Sequence, residues 1–250
     1  MLWNASAITG YSIEASDGAL GSVSDMLFDD FSWNIRWLVI DTGNWLPGRK
    51  VLLPPSVFGG PNRDLRSLAA SLTMSQVKDS PSIDTDLPMS RQMEARLYDH
   101  YNWDPYWNSG FFPMSDVMPA PLPEPFPPAG KKLSDPAGDG DPHLRSIAAV
   151  TGYHIHASDG EIGHAADFLV DDAGWSVRYL TVDTRNWWPG ELVLVSPRSV
   201  RDIDWAERMI NLRVTRQKVK DAPRYNASIT VDGAYDEKFL TYYGIDWVSR

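Results

Sequence analysis

Thr9-Gly10-Tyr11-Ser12-Ile13-Glu14-Ala15-Ser16-Asp17-Gly18, near the start of the chain, returns in its second half as Thr151-Gly152-Tyr153-His154-Ile155-His156-Ala157-Ser158-Asp159-Gly160. At one fixed offset the correspondence runs on through Gly21 and Gly163, Asp29-Asp30 and Asp171-Asp172, Trp33 and Trp175, and Arg36 and Arg178. It continues through Asp41-Thr42 and Asp183-Thr184, Asn44-Trp45 and Asn186-Trp187, and Pro47-Gly48 and Pro189-Gly190. After a looser stretch, Val77-Lys78-Asp79 and Pro81 meet Val219-Lys220-Asp221 and Pro223. A repeat of this length makes each copy one structural unit, so the chain reads as a tandem duplication.

Each copy opens as strands. Tyr11, Ile13 and Ala15 alternate with Ser12 and Glu14, Ser16-Asp17-Gly18 supplies a three-residue turn with glycine at its left-handed position, and Leu20 to Phe28 begins the return strand. A polar turn at Asp29 to Ser32 leads into Asn34 to Asp41, whose Ile35, Trp37, Leu38, Val39 and Ile40 form a largely buried run. Val51-Leu52-Leu53 and Leu65 to Leu72 supply two more strands, and five or six short strands in one copy suggest a small barrel or sandwich. The back of each copy turns helical. Thr73 caps a short helix through Val77, and Ser90 caps a longer one with Met93, Leu97 and Tyr101 on one face. Asp232 caps its counterpart, with Tyr235, Phe239 and Tyr243 on the same stripe, and both stripes read as core contacts.

Ten of the 19 prolines lie from Asp104 to Pro142, several at near-alternate positions, a composition that favours an extended semi-rigid spacer over any helix. The chain therefore divides into residues 1–103, a proline-rich linker at 104–146, and residues 147–250.

A length of 250 residues allows one large or two ordinary domains with real cores. The absence of cysteine excludes thiolate zinc sites, iron–sulfur clusters, cysteine nucleophiles and redox pairs. With 33 acidic against 23 basic side chains, the net charge of −10 argues against direct binding to nucleic acid or anionic lipid and favours protein or small neutral partners. Met1-Leu2-Trp3-Asn4 opens no secretory signal, and no apolar run approaches the roughly 18 residues that span a bilayer, so the expectation is a soluble cytoplasmic protein.

Gly10-Tyr11 through Asp17-Gly18, Gly21, Asp25, then Arg36-Trp37-Leu38-Val39-Ile40-Asp41-Thr42-Gly43 and Val51-Leu52-Leu53-Pro54-Pro55, together resemble a PRC-barrel domain, and the second copy repeats the pattern. The resemblance covers about residues 5 to 80 and 147 to 222. It implies a mainly β protein of two small PRC-type β-barrels in tandem, each with a C-terminal helical tail. It also implies assembly rather than catalysis, as in the cytoplasmic part of the photosynthetic reaction-centre H subunit and the C-terminal domain of ribosome-maturation factors. Neither specific role carries over: nothing here matches the membrane helix of the first or the Tyr-Tyr-Trp of the second.

Candidate residues fall into four groups. Trp45 in one copy and Trp187-Trp188 in the other sit beside Pro-Gly turns, where a large aromatic either anchors a protein partner or self-association, or folds back to close the core. Val39-Ile40-Asp41-Thr42-Gly43 matches the aspartic-protease string, with Asp183-Thr184 as a second lobe. Arg185 replaces the glycine such a loop needs, however, leaving a hydrolase as a remote alternative. On the structural reading, Asp41 and Asp183 accept backbone N–H groups as Asx turns do, with Thr42 and Thr184 beside them. Arg36 and Arg178 then pair at the surface with acids such as Asp25, Asp29, Asp167 or Asp171. Finally, a three-residue turn at Ser158 to Gly160 sets His154 opposite His164 with His156 on the same face, a set that either holds zinc or nickel weakly or forms a solvated face. No phosphate loop, nucleophile elbow or helix-borne metal pair is visible, and no motif implies a cofactor. A protein-interaction module is therefore expected. An accessory of photosynthetic electron transport, in peripheral contact with a membrane complex, is the alternative.

Overall fold

The computed structural model describes residues 1–80, 91–101, 143–184, 192–223, 225 and 233–243. Ser90 and Asp232, expected as caps, and the proline-rich stretch 104–142 lie outside them, as do the expected contact of Met93 and the loop of Trp187 and Trp188. The protein is mainly β, with two mixed sheets and a few short helices. Among the described residues, no helix is long and apolar enough to cross a membrane.

The first half runs β1 (Leu2–Asn4), α1 (Ala5–Ile8), β2 (Ser12–Ala15), β3 (Gly18–Asp29), β4 (Ile35–Asp41), β5 (Lys50–Leu53), β6 (Ser67–Ala69), α2 (Met74–Lys78) and α3 (Arg91–Tyr101). The second repeats this order as β7 (Leu144–Ser146), α4 (Ile147–Val150), β8 (His154–Ala157), β9 (Gly160–Asp171), β10 (Ser176–Asp183), β11 (Leu192–Val195), β12 (Val200–Asp204), β13 (Met209–Leu212), α5 (Arg216–Lys220) and α6 (Gly233–Tyr243). One sheet is ordered β5-β4-β3-β2-β6 and the other β11-β10-β9-β8-β13-β12. In each, only the pairing of the first hairpin strand with the strand before the short helix is parallel. The extra strand β12 has no unbroken counterpart in the first half, where Gly59-Gly60-Pro61 supplies no branched side chains and one missing N–H, leaving isolated bridges at Phe58 and Asn62.

The first strand of each half leaves its own sheet. β1 pairs antiparallel with β9, setting Leu2, Trp3 and Asn4 against Asp171, Val170 and Leu169. β7 pairs with β3, setting Leu144, Arg145 and Ser146 against Asp29, Phe28 and Leu27. The reason lies in the length of β3 and β9. Each spans 12 residues, and the short β2 or β8 covers only its first part. The rest would be an open edge of unpaired backbone groups, and the other half's first strand covers it. Composition places Leu144–Ser146 at the end of the linker. They are instead a strand, because Leu144 packs beside Trp37 and the backbone pairs with β3.

Between the halves, β3–β4 and β9–β10 also meet directly. Ile35 N donates to Trp175 O at 2.7 Å and Val177 N to Trp33 O at 2.8 Å. Trp33 and Trp175 hold left-handed backbones, at φ 61° and 46°, that turn these carbonyls across the seam. A single apolar core then runs through both halves, with Ile13, Leu20, Phe28 and Ile40 from one and Ile155, Ile162, Phe168 and Val182 from the other.

The tail helices cover the outer faces. Leu97 and Tyr98 of α3 pack on Trp37, Val39 and Leu52, and Phe239 of α6 packs on Leu169, Tyr179 and Leu194, which is why β4 and β10 read as nearly continuous apolar runs. Tyr98 meets Trp37 edge-on at 5.4 Å, and Phe239 meets Tyr179 likewise at 4.8 Å. Thr73 caps α2 as expected, in a reciprocal capping box with Gln76.

Two local expectations are corrected. The strand placed at Leu65 to Leu72 is confined to Ser67–Ala69, since Asn62 Oδ1 accepts from Leu65 N and closes a turn that leaves Leu65 exposed. The first hairpin turn has two residues, Ser16-Asp17, not three. A bulge after Ile13 moves Gly18 into register with Ala15, and the second half does the same after Ile155.

Candidate interaction surface

Asp41 ends β4 where β3 passes unusually close. A Cβ on Gly21 would stand 2.0 Å from Asp41 O, and one on Gly163 would stand 1.9 Å from Asp183 O, so only glycine lets the strands cross here. From that crossing the loop Thr42 to Arg49 is tied down at four points. Asp41 Oδ1 accepts from Gly43 N at 2.9 Å, the expected Asx turn. Thr42, buried, sets its hydroxyl 2.8 Å from Leu46 O and 2.6 Å from Arg49 O, sharing one proton across the loop. Arg49 donates to Lys78 O at 2.8 Å and to the Ser80 carbonyl, fixing the loop to the end of α2. Trp45 Nε1 donates to Leu20 O at 2.7 Å.

Of the two roles open to Trp45, the structure places its ring against the core, half-buried, with Leu46 half-buried beside it and Asn44, Pro47 and Gly48 exposed. Trp187 and Trp188 lie outside the described residues.

The other candidates separate. Asp41 and Asp183 end strands of different sheets. The first is exposed, whereas the second is buried with its Oδ2 3.9 Å from His164 Nε2. Thr184 is buried completely. Arg36 does pair with Asp29, at 3.3 Å, but not at the surface: only 5% of its side chain is exposed, because β4 is covered on both faces. Arg178 is half-buried on β10. His154 and His164 stand opposite each other as expected, but the bulge turns His156 into register with Glu161 and His154 Nδ1 pairs with Glu161 at 2.9 Å. Among the described residues, no three histidines or carboxylates are grouped to hold a metal.

Four aspartates line the seam: Asp25 and Asp167, offered by the sequence as partners for the arginines, instead accept donors from the opposite half, and Asp30 and Asp172 were passed over. Asp167 accepts from Ser6 N and Ser6 Oγ, at 3.2 and 2.5 Å, and its counterpart Asp25 accepts from Ala148 N and Ser146 Oγ, at 3.1 and 2.5 Å. Asp172 accepts from Trp3 Nε1 at 2.9 Å and the Met1 ammonium at 2.5 Å. Asp30 meets His143 Nδ1 at 2.8 Å and Arg145 Nε at 3.1 Å. Burial pushes the Asp172 carboxyl up, but the Met1 and Trp3 donors outweigh it and hold the group below the usual range. Repetition of Asp25 and Asp30 as Asp167 and Asp172 was the available signal, though nothing in one dimension says that their donors come from the opposite copy.

Two clamps close over the exchanged strands. Arg63 lies 4.4 Å from the Trp3 ring, and Arg145 lies 3.7 Å from the Trp205 ring. Cation and ring have traded places between equivalent positions. The chain matches no model of a known protein family and no curated protein. Geometry and chemistry alone bear on what it does.

Proposed function

We propose that the chain is a tandem pair of PRC-type barrels, acting without catalysis as a protein-interaction module in assembly, with the Trp45 loop as its contact surface. The observation that carries this reading is the pinned loop. An aromatic ring and a leucine, each half-buried, sit on a backbone already fixed by Asp41, Thr42 and Arg49. An apolar patch so held loses little conformational freedom on binding, which is what makes rigid aromatics effective anchors. The strand pattern quoted above supports the barrel assignment, and the net charge of −10 supports a protein partner over nucleic acid.

The test is affinity purification of the tagged full chain beside a Leu46→Asp variant, with mass spectrometry of what is retained. Leu46 sits outside the Trp45–Leu20 hydrogen bond, so circular dichroism and melting should hardly change while specific partners are lost. Recovery of the same partners in the same yield by a folded variant would overturn the assignment of the loop.

A further inference from the structure

We propose that the natural partner of each repeat is a second copy of the repeat, so that the chain is a dimer joined into one polypeptide and its seam holds without the connection between the halves.

Three observations carry this. First, the exchange is reciprocal: β1 completes β9 and β7 completes β3 in the same register, and Asn34 faces Ser176, its own counterpart, where the two hairpins meet. Contacts of residue i with j are thus matched by those of j with i, the signature of an isologous twofold interface. A seam between unlike domains has no reason to be self-complementary.

Second, each half supplies polar groups that the other must satisfy. Asp25 and Asp167 take the serine and backbone donors of the opposite half, and Asp30 and Asp172 take its first-strand side chains. Charge-assisted bonds of this kind are among the stronger polar contacts. Separating the halves would strip these four carboxylates of their donors across the seam and leave two half-edges and the inner apolar faces unpartnered.

Third, each half braces its own exchanged strand at the same place, although the chemistry is inverted. Trp3 with Arg63 becomes Arg145 with Trp205, so the contact over the exchanged strand persists while the residues exchange roles. The connection contributes effective concentration, which strengthens association without adding contacts. None of the Trp45 loop residues takes part, so the inference stands apart from the function proposed above.

The experiment uses the full chain with a site-specific protease sequence inserted between residues 104 and 142, cut under native conditions. The two fragments should elute together at the size of the uncut chain, and on heating should unfold with a midpoint that rises with protein concentration. The cut chain carrying Asp25→Ala and Asp167→Ala should need at least tenfold higher concentration to stay paired, while its uncut form remains folded. Elution of the cut wild-type chain as two half-sized species, or precipitation of one fragment away from the other, would overturn the proposal. So would an Asp25→Ala and Asp167→Ala chain that stays paired as tightly as wild type.

Discussion

Replacing Gly21 by alanine tests the strand crossing on which the loop is built. The added Cβ would lie 2.0 Å from Asp41 O and 2.9 Å from Thr42 Cα, both backbone atoms that cannot rotate away. Ordinary contact begins near 3.4 Å, so β3 and the end of β4 would have to part by about 1.4 Å, the difference between 3.4 and 2.0. The Ser22–Asp41 register could not survive that movement. Overpacking costs about 1–3 kcal/mol, a φ of +138° that suits only glycine adds about 1–2, and each hydrogen bond lost about 0.5–1.5. Together, with one hydrogen bond lost, these give about 2.5–6.5 kcal/mol, or a melting temperature lower by about 5–26 °C for a chain of this size. Gly43→Ala is the control, since its φ is +58° but nothing lies within 4 Å, so only the backbone strain of about 1–2 kcal/mol applies. Urea unfolding followed by circular dichroism compares the two. If Gly21→Ala costs no more than Gly43→Ala, the close crossing is not what demands glycine; Gly163→Ala should behave as Gly21→Ala does.

Arg36→Ala should destabilise by about 2–4 kcal/mol, near the lower end for breaking a buried ion pair because Asp29 keeps the Phe31 and Ser32 N–H donors, and an unchanged urea midpoint would contradict the pairing. The Asp172 carboxyl titrates below its ordinary value when folded, so its contribution is complete above about 3.8 and is lost as pH falls through its lower folded value. Trp3→Phe removes the indole donor and should flatten that acid limb, which unfolding measured across acidic pH would detect. Burial holds Tyr235 up to about 12, so its contribution is full below pH 10 and lost as pH rises toward 12. Tyrosinate absorbance should therefore show a late phase that is reduced by one group in Tyr235→Phe, the rest coming from tyrosines such as Tyr243 that burial also pushes up.

The elements legible in one dimension were those fixed by local chemistry. The Thr73 cap, the β4 run of Ile35 to Ile40, the Asx turn at Asp41 and the Leu97 and Phe239 stripes all follow from neighbours a few residues apart. What escaped depends on distant partners. Leu144-Arg145-Ser146 looks like linker because nothing nearby gives it a partner, and it becomes a strand only when β3 offers an open edge. Arg36 reads as a surface residue because its acid partner Asp29 lies on a different strand, and alternation does not register the irregularity between Ile35 and Trp37 that sets it apart. The bulges that reset His156 are one-residue slips, which period-two alternation cannot detect.

The exchanged strands also impose an order on the making of the molecule. Before the second half is made, β1 has no β9 to join and the far part of β3 has no cover, and Trp3 and Phe28 have only the rings and cation of their own half, Tyr11, Arg63 and Trp33, against them. Leu144 closes the edge of β3 early in synthesis of the second half, but Trp3 must wait until Val170 has emerged. Such sequence-distant pairings are slow to form and leave strand edges open to wrong partners meanwhile. The last surface to close is thus the one that β1 makes with β9.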